Sequence, residues 1–282
     1  MLTFFEAVVL GIVQGVAEWL PVSSEGVASL IMINFFGKSI SEAIPIAIWL
    51  HMGTLLAALV YFREEVLLII RKLPDYFSKV IFSKVNSGKK EQEKPSSENS
   101  GETNLLISFL IISTFLTGCI GLPIMLFVTE AAEVSGELAT AAVGIFLILT
   151  GLFQRISADT KNSKKIPDTK DALLVGAAQG FSAFPGISRS GITVAALLFR
   201  DFDSERALKF SFLMSIPAVL GAEIGIGIMD LIAIDIPSLL ALIFSFVFGL
   251  LTINFLLKVT QKVNFSNFCI ILGFISVLSL LL

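Results

Sequence analysis

Residues 185–193 read Pro-Gly-Ile-Ser-Arg-Ser-Gly-Ile-Thr: an arginine, two serines, a threonine and two glycines in nine positions. The flanks are almost wholly apolar, ALLVGAAQGFSAF before and VAALLF after. Whether this run is a surface loop or an interruption at membrane depth decides the fold, and composition answers. The 282 residues are 55% hydrophobic and 15% charged, where a soluble domain carries about 25% charged residues, and the mean hydropathy is +0.88. The chain reads as an all-α, multi-spanning membrane protein. A guanidinium at membrane depth costs about 2.5–3.5 kcal/mol even on lenient insertion scales, so Arg189 is expected to be paired and functional.

Six apolar segments are long enough to span a bilayer, at roughly 43–62, 104–128, 137–155, 207–229, 236–257 and 265–282. Two more, 2–36 and 171–199, are broken by the polar stretches Glu18–Gly26 and Pro185–Gly191. Each reads as two half-length helices with a Pro/Gly/Ser-rich bend. Non-helical backbone at that depth must be buried in protein or line a wet cavity, which makes both segments candidate re-entrant hairpins.

The two hairpins resemble each other. At an offset of 165 residues, Gly11, Gln14, Gly15, Ser23 and Gly26 match Gly176, Gln179, Gly180, Ser188 and Gly191. Three spans follow each hairpin, and an odd number between copies makes them opposite in orientation, the inverted-repeat plan of many transporters. The expectation is one membrane domain over 1–282, with repeat one at about 1–155 and repeat two at about 171–282. Charge fits this topology. Of 20 basic residues, all but Lys38 and Arg189 fall on one side, which the positive-inside rule makes cytoplasmic, with both chain termini outside. No cleavable signal peptide is expected, because the first apolar run lacks a basic lead and carries Glu6, Gln14 and Glu18. Residues 86–103 are polar and expected to be a flexible cytoplasmic insert. Residues 64–80 have amphipathic spacing and predict an interfacial helix.

In the second bend, a helix start supplies free N–H groups that favour an anion. Ser188, Ser190 and Thr193 add hydroxyls, and Arg189 adds a planar fork suited to phosphate. The plainer alternative is that Arg189 pairs with an intramembrane carboxylate while the hydroxyls cap the helix. In the first bend, Glu18 sits in an apolar half-helix, where desolvation suits a general base unless Arg189 offsets it. Ser24 is a candidate nucleophile with Glu25 beside it, and carboxylates facing a phosphate site can hold a divalent cation such as Mg²⁺ or Ca²⁺. The alternative makes Ser23 and Ser24 N-caps and Glu25 a first-turn acid.

His51, the single histidine, is as consistent with packing in the bundle as with the site. Gln14 and Gln179 are expected to hydrogen-bond between the repeats. Glu223 is a lone carboxylate in the fourth span. Cys119 and Cys269 lie in apolar runs and suggest neither a disulfide nor a metal framework.

GIVQGVAEWLPVSSEG, WLHMGTLLAALVYFR, PGISRSGITVAALL and KFSFLMSIPAVLGA resemble the undecaprenyl-diphosphatase (bacitracin-resistance protein) family over essentially the whole chain apart from the insert. The resemblance implies six spans with two re-entrant hairpins and removal of the terminal phosphate from a polyprenyl diphosphate. By motif position it makes Glu18 and Ser24 catalytic and has Ser188, Arg189, Ser190 and Thr193 bind the diphosphate. Joined to the reading of the two bends, the expected site has Glu18, Ser24 and Arg189 as catalytic, Ser23, Gly186, Ser188, Ser190, Gly191 and Thr193 as substrate-binding, and Gln14, Glu25 and His51 in support. A cation would sit at Glu18 and Glu25. Two positions depart from the family: Gln14 stands where a glutamate is usual, and Val27 where a histidine is usual. The partners implied are the lipid substrate and membrane lipid, with no nucleic acid and a homodimer left open. A non-enzymatic polyprenyl-phosphate or anion transporter is the alternative on the same fold. A phosphatidate-phosphatase type, which needs two histidines, is set aside.

Overall fold

The computed structural model describes residues 2–85, 98–130, 136–156, 164–228 and 234–279. Among these, all extended regular structure is helical. The first half holds α1 (Phe4–Ala17), α2 (Ser24–Phe36), α3 (Ile40–Tyr61), α4 (Arg63–Val85), α5 (Glu98–Glu130) and α6 (Gly136–Ile156). The second holds α7 (Thr169–Phe181), α8 (Arg189–Phe199), α9 (Ser204–Ile228), α10 (Ile236–Thr260) and α11 (Ser266–Leu278).

Five helices, α3, α5, α6, α9 and α10, are long and apolar enough to cross a membrane. The sixth expected span, 265–282, is described only as the 13-residue α11, about 20 Å at 1.5 Å per residue against a hydrocarbon core of about 30 Å. Large apolar side chains on these helices, including Phe127, Leu251 and Phe255, are exposed outward, as a lipid-facing surface requires. The predicted amphipathic helix at 64–80 falls within α4. The polar insert is corrected in part: residues 98–103 begin α5 rather than a flexible segment, because helical pairing continues outward from the apolar body of α5. Residues 86–97 lie outside the described residues.

The two broken segments are helix–bend–helix units, with bends at 18–23 and 182–188. Their local chemistry matches at the repeat offset. Thr3 and Asp168 each open the first helix through a capping box, with Glu6 and Asp171. Ser23 and Ser188 each cap the second helix, accepting from the Gly26 and Gly191 amides. Packing matches as well: α1 lies along α10 and α7 along α5, while α6 pairs with α11 and α3 crosses α9. Glycine permits the first two contacts. A Cβ at Gly11 would stand 2.5 Å from the Ala241 carbonyl oxygen, and one at Gly176 would stand 2.7 Å from that of Ser113. Each half therefore packs its hairpin on a long helix of the other, and both bends are carried into the interior.

Candidate active site

The bends touch. A Cβ at Gly26 would lie 2.9 Å from the Cα of Gly186, and Gly186 itself is left-handed at φ +103°. Ser23, at φ 59°, is a serine in the left-handed region, a conformation that costs about 1–3 kcal/mol and persists only when its surroundings enforce it. The enforcing contacts come from several helices. Gln154 Nε2 on α6 donates to the Pro21 carbonyl at 2.5 Å, Trp19 Nε1 donates to the Gly249 carbonyl at 3.0 Å, and Ser190 Oγ donates to the Leu20 carbonyl at 3.3 Å. In the second bend Thr150 Oγ1 accepts from the Ser188 amide at 3.0 Å and donates to the Gly186 carbonyl at 3.1 Å. Thr150 and Gln154 are positioning residues that the sequence reading did not single out. Their signal was one polar face on an otherwise apolar span.

Glu18 and Arg189 form an ion pair through Oε1 and a terminal guanidinium nitrogen, with side chains only 6% and 17% exposed. The guanidinium also lies over the Phe212 ring, 5.4 Å from its centroid. Arg189 is thus paired, as the plainer alternative expected, but its partner is the carboxylate next to Ser24. The second oxygen of Glu18, Oε2, accepts from Ser24 Oγ at 2.7 Å and from Gln14 Nε2 at 2.9 Å. His51 Nε2 stands 3.3 Å from the same oxygen and 3.5 Å from Ser24 Oγ. The hydroxyl, guanidinium and imidazole are therefore gathered about one carboxylate.

These groups line a cavity of about 580 Å³ together with Ser23, Glu25, Ser188 and Ser190. The rest of its wall is largely apolar, including Ile44 and Ile48 of α3, Phe115, Leu122 and Met125 of α5, and Ala218 and Ala222 of α9.

Some expected residues are placed elsewhere. Thr193 is fully buried, donates to the Arg189 carbonyl at 2.7 Å and shares a 2.6 Å hydrogen bond with Ser211, so it braces Arg189 without lining the cavity. Gly186 and Gly191 likewise shape the bend from behind. Gln14 bonds Glu18 within its own helix and not across the repeats, because the two stand one turn apart; Gln179 does reach across, to Thr117 Oγ1 at 3.0 Å. Glu223 is buried on α9, and its Oε1 has no hydrogen-bond partner among the described residues. For a cation, Glu18 is the less available carboxylate, since Oε1 already accepts from Arg189 and Oε2 from Ser24 and Gln14. Glu25 lines the cavity and accepts no hydrogen bond among the described residues, so its carboxylate is the one that fits. No cluster of three or more His, Cys, Asp or Glu side chains suited to a metal occurs among the described residues.

Fold and site together define an all-helical, multi-pass membrane protein with a buried carboxylate–guanidinium–hydroxyl centre opening on an apolar cavity. The chain belongs to the bacitracin resistance protein BacA family, whose sequence model matches residues 7–278. It is 55% identical over 282 residues to an undecaprenyl-diphosphatase of Methanococcoides burtonii, covering 100% of both chains. It is 38% identical over 280 residues to an undecaprenyl-diphosphatase of Haloarcula marismortui, covering 98% of this chain and 97% of the relative. With that of Methanothrix thermoacetophila it shares 38% over 275 residues, covering 96% and 94%.

Proposed function

We propose that the chain is an integral-membrane phosphatase that hydrolyses an undecaprenyl-type polyprenyl diphosphate to the monophosphate and phosphate, recycling the lipid carrier for cell-surface glycan synthesis. The observation that carries this reading is the meeting of Arg189 from one bend with Glu18 and Ser24 from the other, beside an apolar cavity. Arg189, with the Ser23, Ser188 and Ser190 hydroxyls, holds the β-phosphate and stabilises charge developing during transfer. Ser24 Oγ attacks in line, and Glu18 accepts its proton. The prenyl tail runs along the apolar wall toward lipid. A divalent cation, Mg²⁺ or Ca²⁺, would be held by Glu25 with substrate phosphate oxygens and would supply charge neutralisation.

The finer topology belongs to the same proposal: six spans, two re-entrant hairpins and inverted repeats, with basic loops cytoplasmic and the termini outside. The matched caps and the crossed packing of α1 on α10 and α7 on α5 support it.

Phosphate release from a polyprenyl diphosphate by the purified protein is the test. Ser24→Ala and Glu18→Gln are expected to lower kcat by about 10²-fold or more. Wild-type rates in both variants would rule out this mechanism, and lipid-phosphate movement without phosphate release would favour a transporter.

A further inference from the structure

We propose that His51 is a catalytic residue: its Nε2 shares with Glu18, and finally holds, the proton that Ser24 loses. This rests on the phosphatase reading above. His51 is the chain's single histidine and comes from α3, which contributes to neither bend. Its Nδ1 lies 2.7 Å from the Ala47 carbonyl oxygen. A carbonyl only accepts, so Nδ1 keeps its proton in either charge state of the ring. In the neutral ring the lone pair is therefore on Nε2, the atom 3.5 Å from Ser24 Oγ and 3.3 Å from Glu18 Oε2. Loose catalytic contacts of this kind tighten when substrate binds.

Glu18 is poorly placed to keep the proton. Arg189 engages Oε1, and Oε2 already accepts from Gln14 and Ser24. Protonation of Oε2 along the Ser24 hydrogen bond cancels the charge that pairs with Arg189 and weakens the Gln14 contact, and Nε2 is the adjoining base that can take the proton. The charge His51 then acquires is balanced. Among the described residues, besides Glu18 and its partner Arg189, the carboxylates of Glu25 on α2 and Glu223 on α9 act electrostatically on the ring.

The proton accounting closes. The Oγ–P bond forms while the bond from the β-phosphorus to the bridging oxygen breaks. That electron pair leaves on the polyprenyl monophosphate, and the serine proton ends on Nε2. Water then attacks the phosphoserine phosphorus. His51 returns its proton to the departing Ser24 Oγ, and the surplus water proton leaves to bulk with hydrogen phosphate.

His51→Gln in the full-length protein keeps a polar side chain of similar reach without a titrating ring. We expect kcat to fall about 10²-fold or more with KM within about threefold, since the lost group acts on the serine proton and not on substrate binding. Because the chain has one histidine, growth on 2-fluorohistidine replaces this ring alone with an isosteric, far less basic one. That protein should fold and bind as the wild type does while kcat drops at least about tenfold. An active wild type with kcat unchanged in the folded glutamine variant, or in the fluorinated protein, overturns the role of His51. A wild type that releases no phosphate overturns the phosphatase reading itself.

Discussion

Gly26→Ala tests whether the contact between the bends sets the geometry of the site. The new Cβ would lie 2.9 Å from Gly186 Cα, 3.1 Å from Gly186 N and 3.0 Å from Ser23 Oγ, against ordinary contacts of 3.4–4 Å. The bends must separate by about 0.5 Å, the difference between 2.9 Å and 3.4 Å. Gly186 cannot simply retreat, since its own Cβ position is 2.5 Å from the Val143 carbonyl on α6. Overpacking of this kind costs about 1–3 kcal/mol, partly offset by the roughly 1 kcal/mol that alanine gains over glycine inside a helix. Activity should suffer more than stability. A misplacement of about 1 Å can cost 10²-fold, so about tenfold in kcat is expected for this smaller shift. The assay is phosphate release by the purified variant, alongside its melting temperature. Gly227→Ala, where a Cβ meets nothing within 4 Å, is the control and should leave kcat unchanged. A folded Gly26→Ala protein with kcat within about threefold of wild type would refute the idea that the touching bends position Arg189 against Glu18 and Ser24.

Three further outcomes are expected. Arg189→Lys keeps the charge but loses the planar fork and the Phe212 stacking; kcat/KM should fall about 10- to 100-fold, the worth of about 1.5–3 kcal/mol of charged hydrogen bonding. Thr150→Val removes the hydroxyl that serves the Ser188 amide and the Gly186 carbonyl, so thermal unfolding should report a loss of about 1–3 kcal/mol and kcat should drop with it. At the N-terminus of α7, the Lys164 ammonium, donating to Asp168 at 2.8 Å, and the Asp171 amide lower the Asp168 carboxyl from 3.8 to about 2. Its stabilising contribution is present above about pH 4 and lost as pH falls through about 2, because the unfolded chain takes up the proton first. The melting-temperature difference between wild type and Asp168→Asn should therefore close across that window, and it should be small, because the Asp168 side chain is half exposed.

Sequence alone determined the membrane setting, the long helices and the two broken segments, because these follow from local quantities: hydropathy, Pro and Gly placement, and caps such as Thr3 and Asp168. It also marked Glu18, Ser24 and Arg189, since an ionisable group in an apolar run carries a cost that needs an explanation. Which of the polar residues near the bends face the cavity was not legible. Thr193 and Ser190 are three positions apart on one helix, yet Ser190 lines the cavity and Thr193 turns to Ser211. That difference is set by the helix packed behind them. Gln14 matched Gln179 in the repeat yet bonds along its own helix to Glu18, because the acid lies one turn away where Ser182, Ala183 and Phe184 follow Gln179. His51 was ambiguous as a lone histidine in an apolar span. Only the tertiary structure decided it, by packing α3 so that Ala47 orients the ring and Nε2 meets Ser24 and Glu18. Partners separated by 27 and 171 residues leave no local pattern in a single chain, and their meeting is a property of the packed bundle.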